Sequence, residues 1–248
     1  MNANLTHPCF TQPSDTSIKL WRYMDFTKFV SLISTGQLFF CRSDRFQDRY
    51  EGSFPIHNRE FLYRYYQFLT DDKKEDAIKQ HFELAERMRR WIFISCWHAN
   101  EFESAAMWDL YAKTNESIAI ETTYSSLASC LPNESLLGFV NYIDYNKDVI
   151  PLDNFLHPFM FKRKSFEHEK EVRAIIKEEP TESTPETFIT GSSRAGMNID
   201  IDLNKLIKNI HISPKSEDWF TNLVRSVTQK YSVKAPVSKS ELYIDPVF

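Results

Sequence analysis

The residues best equipped for chemistry lie late in the 248-residue chain, in Phe166-Glu167-His168-Glu169-Lys170-Glu171-Val172-Arg173-Ala174-Ile175-Ile176. Read as one extended stretch, it sends Val172, Ala174 and Ile176 to one face and Glu167, Glu169, Glu171 and Arg173 to the other, because side chains alternate along a strand. Three carboxylates on one side of an apolar strand repel one another unless cations, hydrogen bonds or a ligand offset them. A row that costs stability where it stands is the first place to look for a site. Its structural alternative is an exposed face whose charges pair with Lys162 and Lys164, contributing little.

Other carboxylates widen the chemistry. Asp44, Asp48 and Glu51, taken with Glu169, Glu171 and Lys162 or Lys164, are the residue types that hold Mg2+ and a phosphodiester, as in a metal-dependent nuclease. The usual Glu-x-Lys order on one strand is missing, since Lys170 points away from Glu169 and Glu171. The seven histidines show no metal-ligand spacing, His98 and His168 standing isolated, so no resident metal is expected. The segment Arg42 to Gly52 interleaves Arg42, Arg45 and Arg49 with acids and turn formers, which suits either a self-paired loop or a ligand-contacting one.

These groups need a frame. Leu20-Trp21-Arg22-Tyr23 reads as a strand. Phe26, Phe29, Val30 and Ile33 follow at helical spacing, with Asp25 or Thr27 as cap and Gly36 as stop, before the strand Leu38-Phe39-Phe40-Cys41. Residues 59–90 read as a helical hairpin broken at Asp71-Asp72-Lys73-Lys74, its tyrosines assigned to the core. Trp91 to Trp97 is the central strand, with Ser95 as its hydroxyl. Ser104 caps a helix bearing Met107, Trp108, Leu110 and Tyr111, and strands follow at Ser117–Glu121 and Leu137–Ile143. Residues 180–198 read as a flexible connection, followed by a strand at Ile207–Ile212, a helix through Trp219 to Val227 and a strand at Tyr231–Val237. The expectation is a flexible arm over 1–17, then one α+β domain over 18–248 with a mixed, mostly antiparallel central sheet.

Composition bounds the function. Hydrophobic residues make up 42% of the chain and aromatics 15%, enough for a full core and an aromatic-lined pocket. No glycine pattern of the Rossmann or P-loop type occurs, which sets aside the usual dehydrogenases and NTPases. A net charge of -4 argues against wholesale electrostatic capture of nucleic acid. Four scattered cysteines without a Cys-x-x-Cys pair, and no apolar run near the roughly 20 residues of a membrane helix, lead us to expect a cytoplasmic protein without membrane partners.

Several short patterns then fall in a recognisable order: Leu20-Trp21-Arg22-Tyr23, Gly36-x-Leu38-Phe39-Phe40, Phe46-x-Asp48-x-x-Glu51-Gly52, Ser95-x-Trp97, Met107-Trp108-x-x-Tyr111-Ala112 and Glu169-x-Glu171-x-Arg173. From about Leu20 onward the chain resembles the bacterial domain-of-unknown-function family 2971. More distantly, the opening strand, short helix and glycine-led strand resemble the entry to the ADP-ribosyltransferase fold, as in DNA-modifying toxins and tRNA 2'-phosphotransferases. One branch of that superfamily places an Arg on its first strand, a Ser on a central strand and a Glu-x-Glu pair on a later one. Arg22, Ser95 and the pair Glu169 and Glu171 match in that order, although Cys96-Trp97 follows Ser95 where a Thr-Ser pair is usual.

The second resemblance implies an enzyme that uses NAD as co-substrate to modify a nucleic acid or a protein, by analogy a stress or anti-phage effector. Glu171 would stabilise the positive charge that builds on the ribose. Glu169 would act as general base toward the acceptor, and Ser95 would orient the glutamate. Arg22 offers a planar fork for the pyrophosphate. Tyr23, Trp97, Trp108 and Tyr111 supply rings for the nicotinamide, with Arg45 and Arg173 joining the cofactor-binding set. The non-enzymatic alternative is a sensor or interaction domain with a dry apolar cleft.

Overall fold

Apolar residues at period two and period 3.6 alternate along this chain, and each run must bury its apolar side against another. A computed structural model describes residues 2–179 and 189–248. Its elements are β1 (Lys19–Asp25), α1 (Phe26–Thr35), β2 (Gln37–Arg42), α2 (His57–Tyr65), α3 (Asp71–Met88), β3 (Ile92–Ala99), α4 (Ala105–Tyr111), β4 (Ser117–Thr123) and α5 (Tyr124–Cys130). There follow β5 (Leu136–Phe139), β6 (Asn141–Ile143), β7 (Phe161–Arg163), β8 (Glu171–Lys177), β9 (Gly196–Asp200), α6 (Leu203–Leu206), β10 (Asn209–Ile212), α7 (Asp218–Lys230) and β11 (Val237–Lys239). The fold is α+β, as expected, around a mixed and mostly antiparallel sheet.

Strands run β11-β10-β4-β1-β3-β2-β9, and β8 lies on β3 with β5 beyond it; β6 and β7 form a separate parallel pair. Both faces are covered. Leu20, Phe93, Trp97, Ile118 and Val172 face one core with Phe29 of α1, Leu127 of α5 and Phe220 of α7. On the reverse face, Ile94 and Ile175 pack with Met88, Phe159 and Met160, while Trp21 and Tyr23 pack with Met107 and Trp108 of α4.

One irregularity decides where a ligand can enter. On one edge β3 pairs with β8 without a break from Ile92 to His98. On the other edge β1 pairs only through Leu20 with Ala99 and Trp21 with His98, and β2 only through Cys41 with Ile94 and Arg42 with Phe93. Beyond those pairs β1 and β2 diverge, α1 connecting them, and Ser95 to Trp97 face a V-shaped notch. α1 fixes the divergence: Asp25 Oδ1 accepts from the Lys28 amide at 2.9 Å, and Gly36 at φ 67° stops the helix in the left-handed conformation.

Several expectations are corrected. Lys164–Glu169 is a 3-10 segment and Lys170 sits at φ 39°, so β8 starts at Glu171, and Glu167 and Glu169 do not share its face. The alternation holds only from Glu171, a short period-two run being unable to reveal a helical turn just before it. The second hairpin helix begins at Asp71 rather than breaking there, and its partner's rings are not core: Phe61 is 49% and Tyr65 62% exposed. The N-terminal arm is docked, with Cys9 and Phe10 buried and Thr11 bridged to Phe139. Of the expected flexible connection, 180–188 lie outside the described residues, while Gly196–Asp200 is a strand paired with β2. At the end of the chain only Val237–Lys239 is strand. No helix among the described residues is long and apolar enough to cross a membrane.

Candidate functional site

A cleft of about 1210 Å³ opens through the notch and is walled by groups from both sheet faces. That exceeds the roughly 300–1,000 Å³ of most small-molecule pockets. Arg22, Tyr23, Trp97, Tyr111, Glu169 and Glu171 all line it. Six residues separated by up to 149 positions therefore meet.

Arg22 spans the notch. From β1 its Nη1 donates to Ser95 Oγ on β3 at 2.7 Å and its Nη2 to the Phe39 carbonyl on β2 at 3.1 Å. Its guanidinium lies 5.6 Å from the centre of the Trp97 ring, and the Trp97 indole N–H donates to the same Ser95 hydroxyl at 3.2 Å. Among the described residues no carboxylate pairs with Arg22, and burial holds its pKa below the ordinary arginine value. A cation anchored by neutral acceptors in an open cleft keeps its charge for an anion.

Ser95 therefore orients Arg22, not Glu171. The reason is parity: Ser95 sits opposite Ala174, whereas Glu171 is opposite His98 and Arg173 opposite Cys96. Directly opposed residues of an antiparallel pair share a face. Ser95 and the glutamate project to opposite sides of the sheet.

Glu171 belongs instead to a buried ionic cluster. Arg173 Nε and Nη2 donate to its two oxygens at 2.7 and 3.1 Å, and Lys162 Nζ approaches at 3.2 Å. Lys162 also meets Glu169 at 2.5 Å and Glu51 at 3.2 Å, and Arg173 meets Glu51 at 2.7 Å and the Phe159 carbonyl at 2.6 Å. Burial by itself would raise the Glu171 carboxyl, but the Arg173 guanidinium and the Lys162 ammonium outweigh it and hold the pKa down to about 2. The pairing with Lys162 read from sequence is thus present, but in the interior, with Arg173 fully buried. Three carboxylates against two cations leave the cluster with a net negative charge at the cleft wall. Among the described residues no group of three or more acidic, His or Cys side chains is arranged to hold a metal ion. Lys162 and Arg173 already take the carboxylate oxygens.

Two expected residues stand apart from the cleft. Arg45 is exposed and does not line it, and Trp108 is a buried ring of α4 whose indole N–H donates to Glu103 at 2.9 Å. Arg173 lies beneath the wall as the partner of Glu171, out of a ligand's reach. Tyr23 shows its ring to the cleft, while its hydroxyl accepts from the Ser104 amide at 2.8 Å.

Residues not assigned from sequence complete the wall. His98 is 3% exposed, faces Glu171 across the β3–β8 pair, and places Nδ1 2.6 Å from the Glu169 carbonyl. Cys96 borders the cleft with its thiol pushed well above its ordinary pKa by burial and then by Glu171. Behind the wall, the Tyr142 hydroxyl accepts from the Glu171 amide at 2.8 Å without lining the cleft itself. Their signal in the sequence is weak: His98 becomes visible only once the β3–β8 register is known. Comparison of the chain with protein-family models, with curated proteins and with solved structures finds no match.

Proposed function

We propose that the cleft binds NAD and that the protein transfers ADP-ribose to a nucleic-acid or protein acceptor. The observation that carries this is the pairing of two opposite functions across one notch: Arg22, a cation without a carboxylate partner among the described residues, and Glu171, a carboxylate held ionised. Arg22 takes the pyrophosphate, for which a planar fork is suited. Trp97 and Tyr111 offer rings to the nicotinamide side. As the nicotinamide–ribose bond breaks, positive charge grows on the sugar, and the Glu171 cluster with its net negative charge stabilises it. The order of Arg22 and Glu171 in the chain and the resemblance of the opening strand, short helix and glycine-led strand to the ADP-ribosyltransferase entry support the same reading, with Ser95 serving Arg22 rather than the glutamate.

The rival readings have less support. A non-catalytic sensor with a dry apolar cleft is disfavoured by the arginine and the carboxylates that line this one. A divalent cation for a nuclease would have to displace Lys162 from Glu51, Glu169 and Glu171.

The test is to incubate wild type, Arg22→Ala and Glu171→Gln with labelled NAD, nucleic acid and lysate, and to follow nicotinamide release and labelled products. Glu171→Gln should lose about 10²–10³-fold in rate with NAD still bound. Arg22→Ala should weaken NAD binding roughly 10- to 100-fold, the worth of charge-assisted hydrogen bonds. Wild-type protein that neither binds nor consumes NAD would end the proposal.

A further inference from the structure

His98 is a buried side chain with one nitrogen committed and one bare. The Glu169 carbonyl only accepts, so His98 Nδ1, 2.6 Å away, carries the ring proton and Nε2 is an acceptor. Among the described residues Nε2 has no hydrogen-bond partner, in a side chain only 3% exposed that borders the cleft. A buried acceptor left unpaired costs about 1–3 kcal/mol, which a donor arriving with a ligand would recover. The ring stands across the β3–β8 pair from Glu171, with Tyr23 edge-on at 6.3 Å and Trp21 beside it in register on β1. Burial lowers the imidazole's pKa below its ordinary 6.5; the Glu169 carbonyl opposes this in part, and the charges of Lys170 and His168 add to the lowering, so the ring is neutral at physiological pH.

We infer that His98 Nε2, not the Glu169 carboxylate, takes the proton from the acceptor's hydroxyl or amino group during transfer. The inference rests on the transferase reading above. Glu169 is unsuited because Lys162 holds its carboxylate at 2.5 Å. In the step, a lone pair of the acceptor's O–H or N–H forms a bond to ribose C1', and the C1'–nitrogen bond breaks with its electron pair leaving on neutral nicotinamide. The acceptor's proton passes to Nε2, and the positive charge once on the nicotinamide ring ends on the imidazolium. Solvent takes that proton after the product departs. The Nδ1 proton stays on the Glu169 carbonyl throughout and keeps the ring in place.

The test compares wild type, His98→Asn and His98→Ala with NAD labelled in its adenylate half, using mixed-sequence DNA and RNA oligonucleotides and a cell lysate as acceptors. Transfer and hydrolysis of NAD are scored separately. Asn keeps an N–H for the Glu169 carbonyl while removing Nε2, and the transfer-to-hydrolysis ratio should fall about 10²-fold, a general base's share. Added imidazole should restore transfer in His98→Ala but not in Glu171→Gln. Transfer by wild type should also decline with acid through a pKa below 6.5, a limb absent from His98→Asn. An unchanged ratio, no rescue by imidazole, or NAD consumption with no acceptor labelled would each overturn the role of His98 while leaving NAD chemistry in place. Wild type that consumes no NAD would instead bring down the transferase reading itself.

Discussion

Arg173 is the residue on which the candidate site's electrostatics turn. Fully buried, it donates to Glu51, Glu171 and the Phe159 carbonyl, so truncating it leaves three buried carboxylates, Glu51, Glu169 and Glu171, with the single ammonium of Lys162. Removing one partner of a buried ionic group costs about 3–5 kcal/mol. Arg173→Ala is expected to lose that much in denaturant unfolding, and a loss below about 1 kcal/mol would show the cluster to be hydrated. Glu171 gives the pH counterpart. Its folded pKa of about 2 lies below its ordinary 4.5, so its stabilisation is complete above pH 4.5 and is lost as pH falls toward 2. The shift corresponds to roughly 3 kcal/mol. Wild-type stability measured by denaturation from pH 5 to 2 should decline over that window, and Glu171→Gln should show a flatter profile.

At the scale of elements, two glycines place the charged wall and the notch, and they differ in what surrounds them. Gly36 caps α1 at φ 67° with room for a methyl on its Cα, the nearest atom being the Ile201 carbonyl oxygen at 4.0 Å. Gly52, at φ 70°, follows Glu51, and a methyl there would lie 2.6 Å from Phe159 Cε1. Gly36→Ala should therefore cost about 1–2 kcal/mol, the backbone penalty for the left-handed region. Gly52→Ala should cost more, because Phe159, whose carbonyl holds Arg173, must also move. Equal losses in thermal unfolding would mean that the Phe159 contact is not tight. The sequence marked Gly36 as a helix stop through its place after an apolar helical run. It placed Gly52 in a loop and in one of the patterns that carry the family resemblance, but nothing local reveals that a buried ring lies over it.

Over the whole molecule, stability is unevenly spread. β3 and β8 are buried on both faces, whereas the α2–α3 hairpin exposes Phe61, Tyr65 and Phe68 and holds on largely through Leu62, Ile78, Met88 and the hydrogen bonds between Asn58 and Ile150. Amide exchange should be fastest in α2 and the first turns of α3, by local opening, and slowest in β3 and β8. Comparable protection in both would contradict this. The sequence by itself determined the α+β class, the central strand, read at Trp91–Trp97 and found at Ile92–Ala99, the caps of α1 and α4 and the alternation of Glu171 to Ile176, though not where that alternation starts, because each rests on local periodicity or capping chemistry. It also marked Glu169 and Glu171 by their charge beside apolar neighbours, and Arg22 through the order of residues that the resemblance supplies. Only the tertiary structure decided which of these meet. The β3–β8 register set Ser95 on Arg22's side of the sheet and His98 on that of Glu171, and the αL residue Lys170 turned Glu169 off the strand and onto Lys162. Register, strand divergence and the closure of an ionic cluster between residues 51, 162 and 173 depend on contacts far apart in the chain, and a one-residue change in parity moves a side chain to the other face.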